Sequence, residues 1–430
     1  MSKKNFGISM FLIFLVILIL CLNIFKIDCQ NFIGAIALLV NIFALISFKK
    51  NNLLFFSYMW IFYCNISFLI SKYFSSTPTF LTIYNQIRFK DTKIIGVSGV
   101  AIFVIISFLL CYNYKNKCKD NFDVNENNVN VTKKSYDISL IIIISIISIV
   151  LIDYFALHIL SVSRQIYEYL LILFVFGFYY SKMSRRKIYK NLLFVLMIIS
   201  TVVNMYQGAR VISLQPMIAY FFVFYDDLIN YKKLIISFII VILIFTFFGL
   251  YGDMLDSGIS LKQLTFSYLI DNLLARKFTL DTSIAAYWSG LTFIECTNFI
   301  PLHDRITNFL QFLTSYLLFG AKSGYKDVYN ISREYYLHYN GGFISSYLYY
   351  WLSWPGVILV SIYVGKILKL FLYKDDNEFK KIFKIYVVAT IPRWYLYYPT
   401  ALFRGTFIFI ILYILFSKML NAKYSISKER

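Results

Sequence analysis

The sequence predicts an all-α polytopic membrane protein of about twelve transmembrane helices, with one large outer loop carrying interfacial helices. Three observations predict it. The 430-residue chain is 59% hydrophobic and only 15% charged, where soluble domains carry about 25% charged residues. Apolar runs of about 20 residues recur along it, the length that crosses a bilayer core of about 30 Å. The connections between these runs alternate between strongly basic and lean, the pattern that orients multi-span proteins. Six prolines and 17 glycines exclude a fibrous or low-complexity chain. The net charge of +20 is therefore read first as topology and not as nucleic-acid binding.

The expected spans lie near residues 7–25, 30–48, 53–71, 95–113, 137–157, 167–181, 191–206, 211–226, 234–252, 342–368, 382–399 and 402–419. The first follows Lys3 and Lys4 and could pass for a signal peptide. No small-residue cleavage site comes after it, so it is read as a retained span. Basic connections follow at Lys49-Lys50, Lys115 to Lys134, Lys182 to Lys190, Lys232-Lys233 and Lys366 to Lys384. The positive-inside rule then puts both termini in the cytoplasm. The segment Lys72 to Lys93 departs from the rule, with four basic residues on the outer side. Three regions result: nine spans in 1–252, a large outer loop in 253–341, and three spans with a cytoplasmic tail in 342–430.

The outer loop is too long for a turn. Within it, residues 264–278 and 307–319 carry apolar positions at helical spacing, which predicts helices on the outer interface. The segment 119–134 reads as a polar cytoplasmic loop. Six scattered cysteines show no disulfide or metal-site spacing. No internal repeat is visible.

Divided by side, the charges separate by residue type. Of 31 lysines, 23 are expected in the cytoplasm; of 11 arginines, only Arg185, Arg186 and Arg430 are. The other eight arginines face outward: Arg88, Arg164, Arg210, Arg276, Arg305, Arg333, Arg393 and Arg404. Arginine offers a planar fork of donors that grips phosphate or carboxylate bidentately and keeps its charge. An outer face that reserves arginine is thus suited to an anionic ligand. The bland alternative is that these side chains snorkel to lipid headgroups.

Arg210 sits at the outer tip of a tight hairpin between two short apolar runs. Arg393 and Arg404 flank a turn at Pro392 and Pro399, among Trp394, Tyr395, Tyr397 and Tyr398, which could form a sugar-stacking shelf or an interfacial aromatic belt. The densest polar cluster holds Arg333, Glu334, His338 and Asn340, where His338 or Glu334 could act as a general base. No Walker-type loop and no Gly-x-Ser-x-Gly is present. No outer Asp-x-Asp pair exists to hold a divalent ion, which argues against a metal-dependent transferase; no cofactor and no metal site are expected.

The Gly208-Ala209-Arg210 tip, the 341–365 helix opening and the Arg404-Gly405 turn resemble the O-antigen polymerase (Wzy) family of oligosaccharide repeat-unit polymerases. Residues 338–348 also look like the His-Asn region of the related O-antigen ligases, with Tyr339 intruding between His and Asn. The resemblance implies a GT-C-like glycosyltransferase that joins undecaprenyl-pyrophosphate-linked oligosaccharides into O-antigen or capsular polysaccharide at the outer face. It implies those lipid-linked oligosaccharides and membrane lipid as partners, together with a chain-length regulator protein, and no nucleic acid. Arg210 and Arg404 would meet the pyrophosphates, with Arg276, Arg333 and Arg393 as second choices. An O-antigen ligase and a polysaccharide flippase or transporter stay open as alternatives.

Overall fold

The computed structural model describes residues 3–69, 90–117, 133–153, 164–206, 210–256, 267, 270–271, 281–315, 324–336, 341–373 and 377–428. These residues are helical, with no strand among them. Among them fifteen α-helices follow in order: α1 Lys3–Ile24, α2 Gln30–Phe48, α3 Asn52–Leu69, α4 Lys90–Lys117, α5 Lys133–Ile152, α6 Arg164–Ser184, α7 Lys187–Tyr206, α8 Arg210–Tyr225, α9 Tyr231–Asp256, α10 Asp281–Cys296, α11 Leu302–Thr314, α12 Val328–Arg333, α13 Ile344–Lys369, α14 Glu378–Leu396 and α15 Arg404–Lys428.

Each of the twelve expected spans overlaps a helix among the described residues. Six stretches among the described residues are long and apolar enough to cross a membrane: Phe6–Ile24, Gln30–Phe48, Asp91–Lys115, Lys187–Met205, Ile344–Leu372 and Pro399–Met419. Shorter apolar helices cover Asn52–Ile66, Tyr136–Ile152, Tyr169–Ser184 and Val211–Tyr225. Large apolar side chains stand exposed on several helices: Phe11 and Phe14 on α1, Leu39 and Ile46 on α2, Ile236 and Ile240 on α9, and Ile411 and Leu415 on α15. Apolar faces of this extent are unfavourable in water and match a lipid surround. These helices are compatible with a multi-pass membrane protein.

The chain forms two compact units interleaved in sequence. Unit one holds Met1–Asp123, Ile270–Lys374 and Trp394–Pro399; unit two holds Val124–Leu269, Asp375–Arg393 and Thr400–Arg430. Unit one is built around α4, against which α1, α2, α10 and α13 pack. That helix is apolar on every side (Val97, Val100, Ile102, Phe103, Val104 and Phe108 are buried), as expected of a helix enclosed by others. Phe108 meets Phe43, Phe48 and Tyr58 edge-on, with ring centroids 5.5–6.4 Å apart. In unit two, α6 packs against α5, α7, α8 and α15. Phe176 stacks on Phe409 with centroids 5.0 Å apart, and Phe409 stacks on Tyr386 at 5.1 Å.

The region expected as a loop contains a core helix. α10 packs against α3, α4, α12 and α13, and most of it is buried. Its small residues permit close approach: a Cβ added at Gly290 would crowd Ser346 of α13, and one at Gly96 of α4 would crowd Leu291. Of the two expected interfacial helices, 307–319 corresponds to α11. That helix buries Arg305, Asn308 and Phe312 and exposes Leu302, Ile306 and Leu310, an apolar stripe at i, i+4, i+8. The other, 264–278, lies almost wholly outside the described residues, as does the 119–134 loop.

The span expected at 342–368 is two helices that meet at a kink at Ser353 (φ 55°, ψ −144°). Pro355 has no N–H to give the carbonyl of Trp351. Gly356 allows the second piece to approach the first, since a Cβ there would run into the carbonyl of Leu348.

Candidate functional site

In unit two the arginines singled out by the sequence begin or end helices. Arg210 is the first residue of α8 and Arg404 the first of α15. Arg393 lies in the last turn of α14, directly after Pro392. Arg393 and Arg404 are both half-buried.

Contacts within the unit fix the register of these helices. α7 and α8 run antiparallel: Lys190 lies over the rings of Phe224 and Tyr225, Phe194 meets Tyr220, and Ser213 Oγ donates to the carbonyl of Thr201. α14 and α15 are likewise antiparallel, with Phe379 against Tyr413, Phe383 against Phe409 and Tyr386 Oη donating to the carbonyl of Ala401 at 2.6 Å. α6 runs between α8 and α15. Its Phe178 meets Tyr220 and Phe224, and its Phe176 meets Phe409, Tyr413 and Phe416. At 1.5 Å per residue, counting back from these contacts brings Arg210 and Arg404 to one level within roughly a helical turn, on the order of 5 Å. Two arginine-headed helices therefore start at a common depth, one on each side of α6.

Beneath the start of α8 lies a buried polar set. Ser200, Thr201, Asn204, Ser213 and Gln215 are each 6% exposed or less. Asn204 Nδ2 donates to the carbonyl of Ser200 at 2.8 Å. Thr201 Oγ1 is buried with no hydrogen-bond partner among the described residues. Buried polar groups in an apolar bundle are unfavourable without partners, so this hairpin departs from simple helix packing just below Arg210.

Gly405 follows Arg404 for a steric reason. A Cβ there would collide with the Tyr386 hydroxyl, whose hydrogen bond to Ala401 closes the turn between α14 and α15.

Unit one holds the other sequence-predicted residues. Glu334 follows α12, is exposed and forms an ion pair with Lys326. Arg333 is exposed, with its guanidinium 6.0 Å from the ring centroid of Tyr329. A surface ion pair of this kind is worth at most about 1 kcal/mol and does not prepare Glu334 as a base. His338 and Arg276 lie outside the described residues, as does Asn340. The expected aromatic shelf is not a shelf throughout. Trp394 and Tyr395 are 0% and 1% exposed, and Tyr395 Oη donates to Asn65 Oδ1 at 2.7 Å. Only Tyr397 and Tyr398 are half-exposed. Packing against Phe103 and Phe343 outweighs the interfacial preference that the sequence invited.

Arg305 is one of the eight arginines expected on the outer face and belongs to none of the sequence motifs. In the structure it is 6% exposed. Its Nη1 donates to the carbonyl of Tyr350 at 2.7 Å and its Nε to the carbonyl of Ile300 at 3.1 Å. Burial lowers its pKa from the usual guanidinium value, opposed by the nearby Tyr350 and Tyr349. Next to it, Trp351 Nε1 donates to Asn308 Oδ1 at 2.8 Å, and Asn308 Nδ2 to the carbonyl of Lys326 at 2.7 Å. The signal in the sequence was the spacing Arg305, Asn308, Phe312, one helix face with two polar members.

No family model, no curated protein and no solved structure matches the chain.

Proposed function

We propose that this chain is a multi-pass glycosyltransferase of the bacterial cytoplasmic membrane, with both termini cytoplasmic. It polymerises undecaprenyl-pyrophosphate-linked oligosaccharide repeat units at the outer face. The observation that carries the reading is the common level of Arg210 and Arg404 at the heads of α8 and α15. Each helix start adds partial positive charge from its unpaired N–H groups. An arginine at each of two such termini, at one level, favours a pyrophosphate, and most of all one that is gaining charge as it leaves.

In the proposed reaction a hydroxyl oxygen of the acceptor sugar attacks the anomeric carbon of the donor. The new glycosidic C–O bond forms as the anomeric carbon–phosphate oxygen bond breaks. The pyrophosphate leaves with the electron pair, on its lipid. The hydroxyl proton passes to a base, assigned to His338 because Glu334 is held by Lys326. Arg210 and Arg404 meet the leaving group, with Arg276, Arg333 and Arg393 as second choices.

The test uses cells that lack their own copy and express Arg210→Ala or Arg404→Ala at wild-type level in the membrane. The expected result is surface glycolipid carrying single repeat units without polymer. Full-length polymer from both variants refutes the reading, and glycolipid with no unit attached points to a ligase.

A further inference from the structure

Unit one contains a cavity of about 260 Å³ that none of the roles above uses. It lies among the C-terminal end of α1, the N-terminal end of α4 and the C-terminal end of α10, closed on one side by Tyr349 of α13. Its polar wall carries two carboxylates, Asp91 and Glu295, two amides, Asn23 and Asn298, and the ammonium of Lys26. Its other wall is apolar, made of Ile94, Ile95 and Ile294.

The polar wall is organised. Thr92 Oγ1 donates to Glu295 Oε2, and Asn298 Nδ2 donates to Glu295 Oε1 at 3.2 Å. Both oxygens of Glu295 are thereby oriented, and each keeps a lone pair for a further donor. Asn23 Nδ2 is committed to the carbonyl of Ile19 and to Ser98 Oγ, at 2.8 and 2.7 Å. Its Oδ1 is left buried with no hydrogen-bond partner among the described residues. Lys26 holds a left-handed backbone (φ 51°), a conformation unusual for a residue with a Cβ.

The chemistry of the lining selects the ligand. Phosphate or another anion would face two carboxylates. A metal ion or an amine would face Lys26 and three isoleucines, and no group of three His, Cys, Asp or Glu converges anywhere among the described residues. A neutral molecule with several hydroxyls on its edge and C–H groups on its face fits both walls. Its hydroxyls can donate to Glu295 and Asp91 and accept from Lys26, while its C–H face lies on isoleucine and the Tyr349 ring. The volume falls just below the roughly 300–1,000 Å³ of drug-sized sites, the scale of one sugar ring. We propose that this cavity binds a single pyranose ring of a neutral saccharide. The proposal stands on unit one alone and does not require the arginine assignments.

The test is saturation-transfer NMR on the full chain, purified in a detergent without a sugar headgroup. The probes are methyl glycosides of the common hexoses and of their 6-deoxy and N-acetylamino forms. At least one glycoside is expected to bind the wild type. Glu295→Gln and Asp91→Asn should each weaken it tenfold or more, while Asp304→Asn, an exposed carboxylate on α11, leaves it unchanged. Asp91 is exposed, so its variant stays informative if Glu295→Gln lowers the melting temperature. Three results overturn the proposal: no glycoside binds the wild type, Asp91→Asn binds as the wild type does, or inorganic phosphate displaces the glycoside.

Discussion

Arg305 donates to the carbonyl of Tyr350, 45 residues away in sequence and 2.7 Å away in space. In an unbroken helix that carbonyl would accept from the N–H of Trp354. The break at Ser353 removes that partner, and the guanidinium replaces it. Arg305→Ala leaves the buried Tyr350 carbonyl and the half-buried Ile300 carbonyl without this donor, and the expected loss is on the order of 2–3 kcal/mol, with hydrogen bonds to charged groups worth about 1.5–3. Thermal melting of the purified chain reads it out. A melting point equal to wild type means the bond does not hold the break.

Ser353 occupies φ 55°, ψ −144°, a region that glycine enters freely and other residues enter at about 1–3 kcal/mol. Ser353→Gly should therefore raise the melting temperature, and Ser353→Val should lower it. The reverse order would show that the serine hydroxyl matters more than the backbone.

Gly405 and Tyr386 form a coupled pair. Gly405→Ala should displace the Tyr386 hydroxyl from Ala401 and destabilise the turn by roughly 1–3 kcal/mol, the range for overpacking. Tyr386→Phe frees the space that the new methyl needs. In a double-mutant cycle the penalty of Gly405→Ala should shrink in the Tyr386→Phe background by more than the roughly 0.5 kcal/mol that independent sites allow. Strict additivity would refute the steric account of the Arg404-Gly405 motif.

Glu378 opens α14, with the Tyr136 hydroxyl 3.4 Å from its Oε1. Burial raises its carboxyl pKa, while the Tyr136 hydroxyl and the charge of Lys381 partly offset the rise. A carboxyl with a raised folded-state pKa favours the fold while protonated. That contribution is full below the unfolded value of about 4.3. It is lost as pH climbs to the folded value, and the penalty stays constant above it. Glu378→Gln should thus be more stable than wild type at pH 7 and gain little at pH 4. Equal gains at both pH values would contradict the assignment.

For the proposed reaction, the charge at Arg210 and Arg404 is not enough; its planar fork matters. Arg→Lys at either position keeps the charge and loses bidentate contact. The expected drop in polymerisation rate is on the order of 10- to 100-fold, from about 1.5–3 kcal/mol per charge-assisted bond. Membranes making polymer from lipid-linked repeat units in vitro measure it. Activity should persist in EDTA, and loss restored by Mg²⁺ would contradict the proposed use of arginine alone.

The helices that face outward along their length were legible in the sequence. α1 and α2 were expected at 7–25 and 30–48 and are found at Lys3–Ile24 and Gln30–Phe48, because an uninterrupted apolar run has one interpretation. α10 was not legible. Its serines, threonines and glycine look like loop composition, and only neighbours distant in sequence reveal that they pack. The break in α13 left a local trace in Pro355-Gly356, but its position depends on Arg305, which no window around residue 353 contains. Arg210 and Arg404 were visible as hairpin tips. Their common depth was not, because it comes from ring contacts that α6 makes with two helices far apart in the chain. Glu295, Asp91 and Asn23 carried no motif at all, since a cavity wall drawn from three helices has no spacing.

The break at Ser353 also changes what α13 is for. From Trp354 to Leu372 the chain is by itself about as long as the roughly 20 residues one crossing takes. The preceding piece is surplus to that crossing, and its Ile344, Ser345, Ser346, Tyr347, Leu348, Tyr350 and Trp351 are all buried. It is enclosed by protein and faces little else. One sequence run that reads as a single pass thus supplies two parts, a stave long enough to cross a membrane and an internal post on which α10 and α11 rest.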